Sequence, residues 1–134
     1  MIDNKLTKVL VILLAIVTIA CEDLIEKEIE GTVTLYAPHH NAQLDDKDVT
    51  FWWNELDNVR GYRLQLVKNS FEQIEKVMLD STVTVGRFDY TVNPGNYQWR
   101  VTAFNDANEV VSDTFSFQIE IITENIIIET NETK

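Results

Sequence analysis

The chain has 134 residues, 45% of them hydrophobic with three Trp, four Tyr and six Phe, which is enough apolar volume for one packed domain and too much for a disordered segment. Its formal net charge of −11 rules out a nucleic-acid partner, because that binding depends on Lys and Arg neutralising phosphates. The single cysteine excludes an intramolecular disulfide, so the domain must be stabilised by packing alone.

Lys5 and Lys8 lead into an unbroken run of apolar residues and Thr from Val9 to Ala20, shorter than the roughly 20 residues a spanning helix requires. Residues 1–20 therefore read as an export signal in helical form. The run ends at Thr18-Ile19-Ala20-Cys21, where a small residue directly precedes the only cysteine. This resembles the lipobox of bacterial lipoproteins, with Thr18 departing from the larger aliphatic residue usual there. The resemblance implies cleavage before Cys21 and diacylglycerol on its sulfur, making the membrane a partner. Two or three acyl chains, at about 0.8 kcal/mol per buried methylene, anchor a protein durably. The competing readings are a plain secretory peptide or an N-terminal membrane helix. Residues 21–30 follow as an acidic tether containing Glu22, Asp23, Glu26, Glu28 and Glu30. Its acidity resembles the tract that directs Bacteroidota lipoproteins to the outer face of the outer membrane, so cell-surface display is expected. A solvated spacer on a periplasm-facing anchor is the alternative.

The domain proper is expected over residues 31–120. Gly31–Ala37 alternates, with Val33, Leu35 and Ala37 on one face and Thr32, Thr34 and Tyr36 on the other, and Pro38 then stops the pairing. Residues 39–47 read as a polar loop. Asp48–Trp53 directs Val49, Phe51 and Trp53 inward, so Trp52 must point out. After a turn-rich connection, Tyr62, Leu64 and Leu66 share the inward face of the next strand. Residues 69–76 read as a loop with at most one helical turn, before a short edge strand at Val77-Met78-Leu79. Thr82–Val92 places Phe88, Tyr90 and Val92 in phase, with Gly86 marking a bulge or a break. The turn Asn93–Asn96 starts the most regular strand, with Tyr97, Trp99, Val101 and Ala103 alternating against Gln98, Arg100 and Thr102. Phe115, Phe117 and Ile119 face inward on the last strand. Residues 121–134 contain Ile126-Ile127-Ile128 and read as a strand extension with a frayed end, either continuing the last strand past a bulge or adding an eighth strand along an edge. Seven strands spaced by turns, without a convincing helix, give an all-β, antiparallel, seven-stranded sandwich.

Val49, Phe51 and Trp53, the Tyr62, Leu64, Leu66 alternation, the series Val92, Pro94, Gly95, Tyr97, Trp99, Val101 and Ala103, and Ser112 with Phe115 together resemble a fibronectin type III domain. The resemblance covers Gly31–Ile119. It implies that Trp53 is the core tryptophan and that the Tyr97 hydroxyl bonds back to the preceding loop.

Nothing in the chain reads as catalytic machinery, and no cofactor is expected. Adjacent His39 and His40 point opposite ways on an extended loop, which is poor geometry for one metal. Asp45, Asp46 and Asp48 lack the glycine and distal glutamate of a calcium loop, so no metal site is expected. Asp80-Ser81-Thr82 resembles the short O-glycosylation signal of exported Bacteroidota proteins and sits at an expected turn, which makes Ser81 a candidate acceptor. The candidate binding surface is the pair Tyr36 and Trp52, two outward aromatics on neighbouring strands; either the tail around Ile126–Ile128, Leu24 and Ile25 of the tether or a long charged side chain covers them, or they form a small flat platform for an envelope protein or a glycan. Two functions follow: a lipid-anchored interaction module, or a glycan-binding accessory of a polysaccharide-capture system.

Overall fold

Strict alternation gives each strand one apolar face, and two sheets closing those faces on each other is the arrangement that buries them. The computed structural model describes residues 3–9 and 26–122. Residues 4–9 are helical, and the second stretch runs through nine strands. These are β1 Leu35–Ala37, β2 Ala42–Leu44, β3 Asp48–Trp53, β4 Gly61–Asn69, β5 Ile74–Val83, β6 Arg87–Thr91, β7 Gly95–Phe104, β8 Glu109–Val111 and β9 Phe115–Ile119. A small sheet has the order β1-β3-β6 and a larger one β2-β9-β7-β4-β5, with β8 also beside β7.

Nine segments fill seven strand positions. The first strand leaves the small sheet at buried Pro38, so β1 pairs antiparallel with β3 while β2 runs parallel to β9. The last strand is likewise split, β8 and β9 both pairing with β7 around Ser112. Buried Ser112 bridges the gap: its Oγ accepts from the Val101 amide at 2.9 Å and donates to the Asp113 carbonyl at 2.7 Å.

Between the sheets Phe51 meets Trp99 edge-on at 5.0 Å and Phe117 at 5.9 Å, and Trp53 meets Tyr62 at 5.8 Å. Trp53 and Trp99 are buried, and among the described residues their Nε1 atoms have no hydrogen-bond partner. An orphaned donor costs about 1–3 kcal/mol. Burying a ring of roughly 150–250 Å² at about 25 cal/mol per Å² returns about 4–6 kcal/mol, so burial wins. Buried Tyr97 donates its hydroxyl to the Asn93 carbonyl at 2.8 Å, closing the corner into β7, and burial raises its pKa. Gly95, at φ 152°, lets the chain turn there, with the Tyr97 hydroxyl 3.3 Å from where a Cβ would stand. Gly86 breaks β5 from β6 because the chain passes close to β3: a Cβ on it would lie 2.6 Å from the Trp53 carbonyl oxygen.

Three expectations are corrected. Residues 39–47 are not all loop, since Ala42–Leu44 forms β2. Residues 69–76 contain no helical turn, and the edge strand is ten residues rather than three, with register shifts where β4 passes Leu66–Val67 and Lys68–Asn69. The domain also begins before residue 31. Ile29 is in the core, Asn108 brackets it with bonds to its amide (2.9 Å) and carbonyl (3.1 Å), and Asn105 Nδ2 donates to the Lys27 carbonyl (2.8 Å) and the Asn58 carbonyl (2.9 Å). Asn58 in turn donates to the Glu28 carbonyl at 3.2 Å. Residues 27–30 are a strap laced to one pole of the sandwich. Cys21 and the tail's Ile126–Ile128 lie outside the described residues.

Candidate functional site on the outer face of the small sheet

Since Phe51 and Trp53 are wholly buried, the pleat of β3 forces Trp52 to the other side, where it is 53% exposed. Tyr36 joins it because β1 is tied alongside the end of β3. Asn54 makes three bonds to the segment before β1: its amide to the Thr34 carbonyl (3.2 Å), its Oδ1 from the Thr34 amide (2.6 Å) and its Nδ2 to the Thr32 carbonyl (3.0 Å). The Tyr36 and Trp52 ring centroids are 4.7 Å apart and the planes are inclined by 56°. The two rings therefore form a corner rather than a flat platform. Trp52 offers the larger open surface, with Tyr36, 36% exposed, as its flank.

The cross-strand register supplies a polar border. Arg87 stands opposite Trp52, and Asp89 opposite Thr50. Thr50 Oγ1 donates to Asp89 Oδ1 at 2.5 Å, Thr91 Oγ1 donates to Asp48 Oδ1 at 2.7 Å, and Arg87 lies 3.5 Å from Asp89. The face thus combines an aromatic surface with an exposed guanidinium and an exposed carboxylate. It suits contact with an aliphatic, cationic or sugar C–H surface. Arg87, Asp89 and Thr50 were absent from the sequence reading. The alternation of Asp48–Trp53 and of Arg87–Thr91 carried the signal for them, once the two strands are paired.

The remaining candidates have local roles. His40 Nδ1 accepts from the Ser116 amide at 3.2 Å while its ring lies 5.5 Å from Phe115, which spends the nitrogen on the fold. Asp46 accepts from the Asp48 amide at 3.0 Å, shaping the turn into β3. Among the described residues no three His, Cys, Asp or Glu side chains gather as a metal site. Ser81 is not at a turn. It lies within β5 opposite Leu64, half-buried on the core-facing side. Its neighbour Asp80 is held by Arg63, whose hydrogen bond lowers the carboxyl pKa.

Two sheets of this order, joined by a tyrosine corner, define a fibronectin type III-like β-sandwich, and solved structures bear that out. The fibronectin(III)-like modules of Clostridium thermocellum CbhA align with a TM-score of 0.50 at 14% identity, over 69% of this chain and 99% of theirs. The fn3 domain of the human collagen alpha-1(XX) chain aligns at 0.52 and 10% identity, over 76% and 95%. A beta-1,2-glucanase from Parabacteroides distasonis aligns at 0.50 and 16% identity, over 75% of this chain and 14% of the glucanase. No family model and no curated protein matches the sequence. At these identities the likeness establishes the fold alone.

Proposed function

We propose that the chain is a lipid-anchored protein of the bacterial cell envelope, held in the outer membrane through Cys21 and displaying a non-catalytic interaction module at the cell surface. The observation that carries this reading is Trp52. It is an indole held open on a rigid sheet by a chain that buries its other two tryptophans. Two features support the anchor. The lipobox-like Ile19-Ala20-Cys21 lies six residues before Lys27, a reach of at most about 20 Å, and Lys27–Glu30 is fixed to one pole. That pole also carries Glu26, Glu28, Glu30, Glu55 and Asp57 against Lys27, with Asp106 paired to Arg60, and the net negative charge keeps it clear of anionic head groups.

Cys21→Ser tests the anchor. The variant is expected to leave the detergent phase or keep its leader, and membrane partitioning after cleavage contradicts lipidation. Protease added to intact cells tests display: digestion is expected, whereas protection alongside shaved surface markers assigns the periplasmic side. The second reading, glycan capture at Trp52, draws on the border of Thr50, Arg87 and Asp89, which matches the hydroxyls around a stacked sugar. Sugar binding lost in Tyr36→Ala/Trp52→Ala selects it. Loss of an envelope-protein complex in the same variant, with any sugar binding unchanged, selects the interaction module.

A further inference from the structure

The outer face of the large sheet carries a shallow trough of about 340 Å³, away from the strapped pole, that the reading above does not use. Register builds it. Gln43, Gln118 and Asn96 are neighbours across β2, β9 and β7, and Ser116 and Gln98 form the adjacent rung, with Asn41 just before β2. Asn69 and Ser70, where β4 turns toward β5, form the wall. In a chain with 22 acidic residues, not one of the residues lining this trough is Asp, Glu, Lys or Arg.

The floor is fixed. Gln98 Oε1 accepts from the Phe71 amide at 3.0 Å, and its Nε2 donates to Ser116 Oγ at 3.3 Å. Among the described residues the carboxamides of Asn41, Gln43 and Asn96 have no side-chain hydrogen bond, and Gln118 uses only its Nε2, on Glu120. Each free carboxamide offers an acceptor oxygen and two donor hydrogens a short distance apart. The volume falls at the small end of ligand sites, which run from about 300 to 1,000 Å³. No charged side chain lines the trough to hold an anion or cation, and a peptide finds no apolar pocket for a side chain. A neutral sugar presents vicinal hydroxyls, each both donor and acceptor, which is the complement of a row of carboxamides.

We infer that this trough is a binding site for a neutral oligosaccharide, gripped by Gln43, Asn96 and Gln118 over the Gln98–Ser116 floor. It is separate from the Trp52 corner. Asn96 opens β7, and the strap grips the loop that follows the other end of that strand, so the trough faces away from the bilayer when the chain is anchored through Cys21; that orientation rests on the proposed anchor, and the binding does not.

The test titrates the full chain in detergent micelles with cellohexaose, laminarihexaose, mannohexaose and xylohexaose, and with hexagalacturonic acid as the charged counterpart. At least one neutral hexasaccharide is expected to bind saturably and to move the side-chain amide resonances of Gln43 and Asn96. Its affinity should hold from about 50 to 500 mM salt, since no charge is involved. Gln43→Ala/Asn96→Ala should weaken binding by about tenfold or more, and Gln43→Glu, which keeps the shape but loses the donors, should weaken it too. Val85→Ala, in the exposed connection between β5 and β6, should bind as the parent does. The inference is overturned if no neutral hexasaccharide binds, if only hexagalacturonic acid binds, or if binding survives both trough variants. Loss in the Tyr36/Trp52 variant alone also overturns it, and assigns the sugar to the corner instead.

Discussion

The outer faces of the two sheets handle large side chains differently. On the large sheet the turn after β4 folds back, so Phe71 bonds Gln98 through its amide and lies 4.1 Å beneath the Arg100 guanidinium. Val67, pointing to the same side, is buried. Beyond it runs a closed polar ladder: Arg63 holds Asp80 through two bonds of 2.7 and 2.6 Å, Gln65 reaches Asp80 at 3.3 Å, and Arg100 reaches Gln65 at 3.0 Å. On the small sheet, among the described residues, Trp52 has one aromatic neighbour, Tyr36, and beside it a looser Arg87–Asp89 pair at 3.5 Å. The outward Val67 is buried while Trp52 stays open, and that contrast is what supports the proposed contact face on the small sheet.

The largest expected effect separates two adjacent tryptophans. Trp53→Ala should cost about 3–5 kcal/mol, a large share of a small domain's roughly 5–15, whereas Trp52→Ala should cost no more than about 1 kcal/mol, the worth of a cross-strand aromatic pair. Urea denaturation of the full chain in micelles measures both, and equal costs break the contrast. Removing the cover from the large sheet should come next. Phe71→Ala gives up a half-buried ring and the stacked Arg100, so a loss of about 2 kcal/mol is expected by the same measurement. Asn54→Ala should cost about 1–2 kcal/mol for two side-chain bonds and loosen Tyr36 from Trp52, read as altered Tyr36 ring resonances with Trp52 unmoved in sequence and register.

How far the sequence revealed these faces depended on how local their causes were. The opposite fates of Trp52 and Trp53 follow from alternation within six residues, and the corner at Tyr97 from the turn just before it. The strap was hidden, because Asn105 and Asn108 act on carbonyls and amides 78 and 79 positions away, and an asparagine in a turn carries no mark of such a role. β2 was hidden because three residues pairing in parallel with a distant strand show no period. The full length of β5 was obscured by the shifts in its pairing with β4, which blur its alternation over Ile74–Leu79, and Asp80-Ser81-Thr82 reads as a turn although it continues the strand in regular register.

The smallest expected effect tests the ladder on the covered face. Asp80 has its pKa lowered by Arg63, so its stabilising contribution is present above the unfolded carboxyl value of about 3.9 and is lost as pH falls through the lower folded value. The melting difference between the parent and Asp80→Asn should therefore be visible near neutral pH and close below about pH 3.9. A difference that persists undiminished in stronger acid removes the Arg63–Asp80 pair from the account.

Acrylamide quenching of tryptophan emission from the full chain in micelles bears most directly on the open face. Trp52 should be the accessible emitter and Trp53 and Trp99 the shielded ones, so the parent should quench strongly and Trp52→Phe weakly. Equal, weak quenching of the parent and Trp52→Phe would show that Trp52 is covered in the whole protein, and the small sheet could then not be its contact face.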